Sequence, residues 1–68
     1  MKHLNEMPKS GQFVVVWVYN GKLWSETWRW NDGVVEILLD DIAADEWRTN
    51  DCYYDNGYED LELSYIVI

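Results

Sequence analysis

Residues 12–30 read QFVVVWVYNGKLWSETWRW, two runs of β-branched and aromatic side chains separated by Asn20-Gly21. Such side chains favour strands. Asn-Gly readily takes the positive φ angles of a type I′ turn, so this stretch predicts a β-hairpin. The first run is apolar on both faces after Gln12, which is typical of a strand that is covered on both sides. In the second run Trp24, Trp28 and Trp30 share one parity, which predicts that these rings face the core.

A third strand extends the hairpin into a meander. Asn31-Asp32-Gly33 is a turn signal, and residues 34–39, VVEILL, again have the composition of a strand. Residues 1–11, which include Pro8 and Gly11, indicate an N-terminal loop. Together these features predict one domain over residues 1–68, with a three-stranded meander at 12–39. Its fold class is α+β but nearly all-β, an antiparallel β-meander of four to five strands with at most one short helix.

The rest of the chain adds a connection and a C-terminal strand. Residues 40–48 contain N-cap candidates in Asp40 and Asp41 and two helix-forming alanines. Ile42 and Trp47 are five positions apart, which is poor helical registry, so a short helix and an ordered loop are both consistent with the pattern. Residues 52–68 predict a C-terminal hairpin or strand. Asn56-Gly57 is a second hairpin turn signal, and residues 60–67 alternate between polar and apolar side chains, as in a strand with one buried face.

Composition limits the class of protein. A chain of 68 residues has room for one core, and five Trp, five Tyr and one Phe can fill it. The single Cys52 cannot form an internal disulfide. The N-terminus lacks the apolar run that is typical of a signal peptide, and the apolar run at 13–19 is far shorter than a membrane helix needs. These features predict a cytoplasmic protein, in the host cytoplasm if the gene is viral, with no membrane association.

No residue pattern indicates catalysis or a bound cofactor. His3 is the only histidine, so a metal site and a Ser-His triad each lack the second group that they need. Cys52 has no neighbouring His or Lys to activate it. The glycines stand singly at turns, which argues against a phosphate-binding loop. A calcium loop with Gly57 at its sixth position would place Cys52 and Tyr54 at ligand positions. Calcium requires oxygen ligands such as carboxylates there, so the pattern does not fit a calcium site. The prediction is a protein that is not an enzyme and has no catalytic residue, cofactor or metal.

Negative charge is concentrated in the second half of the chain. The net charge is −8, and all but three of the thirteen acids lie after residue 35, with Arg48 as the only base there. Such acidity keeps a small protein soluble, and it also suits a basic protein surface. Direct nucleic-acid binding is disfavoured because phosphates require clustered Lys and Arg. The sequence predicts a partner-binding face of nine carboxylates: Glu36, Asp40, Asp41, Asp45, Glu46, Asp55, Glu59, Asp60 and Glu62.

The segment from Glu6 to Trp17 places an acid-hydrophobe-Pro-x-x-Gly turn before a Val-rich strand. It resembles the opening of a group of short phage and prophage proteins of unknown function. In size and acidity the chain is also similar to small phage-encoded inhibitors, such as anti-CRISPR proteins and DNA mimics. The resemblance implies an inhibitor that blocks a basic, nucleic-acid-handling surface of a host defence protein such as a CRISPR effector. The alternative is a structural or accessory protein that forms a homo-oligomer through a Trp-rich surface.

Overall fold

In a computed structural model, which describes the backbone of residues 2–41 and 44–68 and the side chains of residues 2–39 and 46–68, the strands form one antiparallel sheet. The strands are β1 (Lys2–Leu4), β2 (Gln12–Tyr19), β3 (Lys22–Asn31), β4 (Val34–Asp41), β5 (Ala44–Thr49) and β6 (Ser64–Val67). A short helix, α1 (Asp51–Tyr54), follows β5. The order across the sheet is β1-β6-β2-β3-β4-β5. The predicted nearly all-β antiparallel class is confirmed.

Tight turns join the three central strands. Asn20 and Gly21 have φ angles of 54° and 72°, and a type I′ turn requires positive values at both positions. Asp32 and Gly33, with φ angles of 56° and 78°, connect β3 to β4 in a similar way. Because each turn determines which residues of its two strands lie opposite each other, the turns set the register of the meander that was predicted over residues 12–39.

One face of the sheet, the core face, carries the buried residues. Alternate side chains of the central strands meet there, and its buried members are Phe13, Val15, Trp28, Val35 and Tyr65. The Phe13 and Trp28 rings lie edge to face with centroids 6.1 Å apart. Trp28 is fully buried and Trp30 is partly buried, as their parity predicts. Trp24 has the same parity but is 43% exposed.

The opposite face, the open face, differs from the prediction that β2 is covered on both sides. The apolar side chains that β2, β3 and β6 place on this face are not buried: Val14, Val16, Val18, Leu23 and Ile66. Val18 and Leu23 are 66% and 67% exposed. The prediction is wrong because the covering segment that the structure describes packs on the core face. The alternate valines of β2 therefore line a surface.

Two edge strands lie where the sequence predicted other structure. Lys2–Leu4, in the predicted loop 1–11, pairs with β6. In the segment predicted as a short helix or loop, 40–48, β4 continues to Asp41 and β5 begins at Ala44, with residues 42 and 43 outside the described part of the chain. Strand pairing is favoured there because it gives the edge of β4 a hydrogen-bonding partner. It also places Trp47 on the open face, with its ring centroid 4.2 Å from the Arg29 guanidinium carbon.

The predicted hairpin at Asn56-Gly57 is replaced by α1 and a series of turns, and β6 starts only at Ser64. Asn56 has a positive φ of 59°, but it follows the helix and does not join two strands. Tyr53 and Tyr58 pack against the core, and this burial places the segment over the sheet. The predicted alternation holds within β6, where Tyr65 is buried. No helix among the described residues is long and apolar enough to cross a membrane.

Candidate functional site

Residues 50–63, here called the cover, connect β5 to β6 in the chain and lie over the core face. Asn50 begins it and is only 2% exposed. Its backbone N–H donates to the Val35 carbonyl at 2.9 Å, and its Oδ1 accepts a hydrogen bond from the Tyr53 N–H at 3.2 Å. The second bond caps α1, because the first N–H groups of a helix have no partner within it. Asn50 therefore fixes the point at which the chain leaves the sheet edge and turns back over the core.

Two tyrosines attach the cover to the sheet. The Tyr53 ring centroid lies 5.7 Å from that of Trp28, and the Tyr58 centroid lies 5.0 Å from Trp28 and 5.8 Å from Trp17. Aromatic pairs of this kind contribute about 0.5–1.5 kcal/mol each beyond the area that they bury. These rings face the sheet, whereas the charged residues of the cover are exposed.

Glu26 lies in a small polar cluster beneath the cover, where it accepts two hydrogen bonds. The Tyr58 hydroxyl donates to Glu26 Oε1 at 2.7 Å, and Trp28 Nε1 donates to the same oxygen at 3.1 Å. Burial is the main reason why the pKa of Tyr58 is raised above its ordinary value, and the neighbouring Glu26 carboxylate raises this pKa further. Both effects disfavour the phenolate. Glu26 therefore acts as an acceptor that ties the cover to β3.

This cluster predicts a loss of stability at alkaline pH. A group whose pKa is raised on folding contributes its full stability below the unfolded value, about 10 for Tyr, and loses it as pH rises towards the folded value. We expect Tyr58→Phe to lower the free energy of unfolding near neutral pH by about 1–2 kcal/mol. The variant should then lose less stability than the wild type between about pH 9 and 11.

Urea denaturation followed by circular dichroism at several pH values measures both effects. Tyr65, whose pKa is also raised by burial, is present in both proteins. Its contribution to the pH dependence of stability therefore cancels when the two proteins are compared. Equal pH dependence in the wild type and in Tyr58→Phe would show that the Tyr58 hydroxyl does not contribute in this way.

The exposed surface of the cover is acidic. It carries five exposed acidic residues: Asp51, Asp55, Glu59, Asp60 and Glu62. No Lys or Arg follows Arg48 in the chain. The ion pairs between described side chains lie elsewhere and join Arg29 to Glu36 at 2.7 Å and Arg48 to Glu46 at 3.3 Å. The cover therefore concentrates negative charge that no described cation neutralises.

Of the nine carboxylates predicted to form a partner-binding face, six have described side chains, and the fold separates these six. Four lie within the cover: Asp55, Glu59, Asp60 and Glu62. Three have side chains outside the described residues: Asp40, Asp41 and Asp45. Glu36 lies on the open face in its ion pair with Arg29, and Glu46 lies on the edge strand β5 beside Arg48. Asp51, which was not predicted, belongs to the cover. Among the side chains that the structure describes, the acidic surface is therefore that of the cover.

An open groove of about 400 Å³ lies where the cover meets the tip of the β2–β3 hairpin. Its lining residues are Trp17, Tyr19, Trp24, Gly57, Asp60 and Leu61. Tyr19 and Trp24 are 55% and 43% exposed. They are exposed because β6 pairs with β2 only as far as Val16, so the hairpin tip extends beyond its neighbour. The groove therefore combines accessible aromatic faces with one edge of the acidic cover.

The parity of Trp24 placed it in the core, and parity alone could not reveal the groove. The informative signal is the position of Trp24 close to the Asn20-Gly21 turn, because hairpin tips often extend past the neighbouring strands. The Trp24 ring already contacts a cation of the same chain, since the Lys22 Nζ lies 4.8 Å from its centroid. This is the geometry of a cation–π contact.

Among the side chains that the structure describes, no three His, Cys, Asp or Glu residues come together as candidate metal ligands. No protein-family model, curated protein or solved structure matches the chain. The acidic cover and the adjoining groove are therefore the two features from which a function is proposed.

Proposed function

We propose that this protein is a stoichiometric binding module without catalytic activity, and that its cover docks on a basic surface of a partner protein. The observation that carries the proposal is the set of exposed carboxylates of the cover, none of which takes part in a described ion pair. Opposite charges across an interface accelerate association and select the partner. The packing of Tyr53 and Tyr58 on the sheet holds the cover in one conformation, which reduces the entropy lost on binding.

The partner class that fits best is a protein whose surface normally holds nucleic acid, because such surfaces cluster Lys and Arg. The resemblance of the segment from Glu6 to Trp17 to phage and prophage proteins supports an inhibitor of host defence, acting in the host cytoplasm. A CRISPR effector is one partner of this kind. Docking of the cover there excludes nucleic acid, since the carboxylates take the positions of phosphates.

The test compares two variants that remove the same charge from different places. The cover variant carries Asp55→Asn, Glu59→Gln, Asp60→Asn and Glu62→Gln. The matched variant carries Asp40→Asn, Asp41→Asn, Asp45→Asn and Glu46→Gln. Each replaces four acids, so the net charge changes from −8 to −4 in both. A partner captured from bacterial lysate and identified by mass spectrometry is then purified and titrated with wild type and with each variant.

We expect the cover variant to bind the purified partner roughly tenfold or more weakly, since each lost charge pair contributes up to about 1 kcal/mol. The matched variant should retain most of its affinity. Wild-type binding should weaken towards about 1 M salt, where the Debye length is about 3 Å. Nucleic acid bound by the partner should compete with the wild-type protein.

Unchanged binding by the cover variant, with its circular dichroism spectrum intact, would overturn the proposal. An equal loss in both variants would assign binding to net charge, which would also contradict a specific role of the cover.

Self-association through the open face is a second candidate. The apolar surface of the open face is rich in valine, and Trp47, which is partly exposed, is the one tryptophan among its described side chains. Val18 and Leu23 form its most exposed part. Exposed apolar patches of this kind mark interaction surfaces. Sedimentation equilibrium tests the candidate, and a monomer at the highest soluble concentration would remove it.

A further inference from the structure

We infer that the groove at the hairpin tip receives an arginine side chain from a basic segment of the partner. This inference rests on the proposed function, because it names the side chain that meets one edge of the acidic cover. The groove offers three aromatic rings, Trp17, Tyr19 and Trp24, and the Asp60 carboxylate. A polar contact and flat apolar walls in one concave site are the usual features of a pocket that orients a ligand.

The aromatic rings of the groove favour a cation. The face of an aromatic ring carries partial negative charge, and Trp attracts cations most strongly. The chain already uses this property, since the Lys22 ammonium lies 4.8 Å from the Trp24 centroid and the Arg29 guanidinium lies 4.2 Å from the Trp47 centroid. Asp60 adds a full negative charge, and neither of the described ion pairs occupies it.

Arginine fits this combination better than lysine. Its guanidinium group is planar and weakly hydrated, so it can stack on Trp24 while its N–H edge donates two hydrogen bonds to a carboxylate such as Asp60. The lysine ammonium group is a compact, strongly hydrated charge that must give up more water to leave solvent. A solvated acidic surface without the rings would attract both residues about equally.

The position of Lys22 predicts the direction in which its removal changes the binding affinity. Its ammonium group lies on the Trp24 ring and repels an incoming cation. Removal of this charge should therefore strengthen binding. Lys9 provides the matched control, because it follows Pro8, whose carbonyl accepts a hydrogen bond from Trp30 Nε1 at 2.7 Å. Lys9 therefore lies near the end of β3 that is far from Trp24.

The experiment uses N-acetylated nona-arginine and nona-lysine amides as probes, titrated calorimetrically at low salt. The proteins are wild type, Trp24→Leu, Lys22→Gln and Lys9→Gln. Wild type should bind nona-arginine roughly two- to fivefold more tightly than nona-lysine. Trp24→Leu should abolish this preference, because Leu keeps an apolar side chain but has no ring. Lys22→Gln should tighten nona-arginine binding more than Lys9→Gln does, although both change the net charge equally.

Nuclear magnetic resonance locates the bound peptide. Nona-arginine should shift the indole N–H signal of Trp24. The signals of Trp28 and Trp30 should stay in place, since their N–H groups are engaged by Glu26 and by the Pro8 carbonyl. A neutral oligosaccharide such as chitotetraose serves as a further probe. A Trp24 shift with this sugar and none with nona-arginine would assign the groove to carbohydrate and overturn the inference.

The outcomes separate the inference from the proposal that it rests on. Equal affinity for the two peptides in wild type, together with Lys22→Gln no tighter than Lys9→Gln, would overturn the arginine groove and leave the acidic cover standing. Binding of both peptides by the cover variant as tightly as by wild type would overturn the acidic cover. If Trp24→Leu fails to fold, Lys22→Gln and the Trp24 signal still decide the inference.

Discussion

We expect Val15→Asp to abolish cooperative folding and Val16→Asp to leave a folded protein. Val15 is completely buried on the core face. Val16, the next residue, points to the open face and remains partly exposed. An unpaired carboxylate at Val15 costs several kcal/mol. That cost is on the order of the whole stability of a domain of this size. A carboxylate at Val16 can stay hydrated.

Thermal unfolding followed by circular dichroism distinguishes the two variants. A cooperative transition of Val15→Asp near the wild-type temperature would show that the faces of β2 are assigned wrongly. If Val16→Asp also fails to fold, the open face is buried in the working protein. Self-association would then become the better account of that face.

Trp28→Ala should destabilise the protein by about 3–5 kcal/mol, the usual range for removal of a large buried ring. Trp28 is fully buried and contacts Phe13 in the sheet and Tyr53 and Tyr58 in the cover. Its loss removes the main attachment of the cover. We therefore expect the variant to be largely unfolded at 25 °C, or to melt far below the wild type.

Trp24→Ala is the matched control, since the same ring is deleted at a half-exposed site on the same strand. It should cost about 1 kcal/mol, as is typical of substitutions outside the core. Urea denaturation gives both free energies. Similar costs at the two positions would mean that Trp28 is not the center of the core.

Part of the candidate site was predictable from composition. The excess of acids after residue 35 predicted an acidic surface, and four of the nine predicted residues lie together in the cover. Composition could not show that Glu36 is held by Arg29 or that Asp51 belongs with the others. Charge counts carry no information on which side of a sheet a residue lies or on which cation reaches it.

The sequence by itself determined the central hairpin and the parity of its side chains. The Asn20-Gly21 turn and the period of two in a strand are local properties, and they suffice to place Trp28 on the core face. Tertiary structure alone decided that this face is covered and that the valines of the opposite face are not.

The physical reason is the range of the interactions involved. A turn depends on the φ angles of two residues, whereas a covering layer depends on where a distant segment can bury its own apolar side chains. Tyr53 and Tyr58 pack against Trp28, which lies at least 25 positions away from both in the chain. The cover and the groove both follow from such distant contacts, which no local pattern encodes.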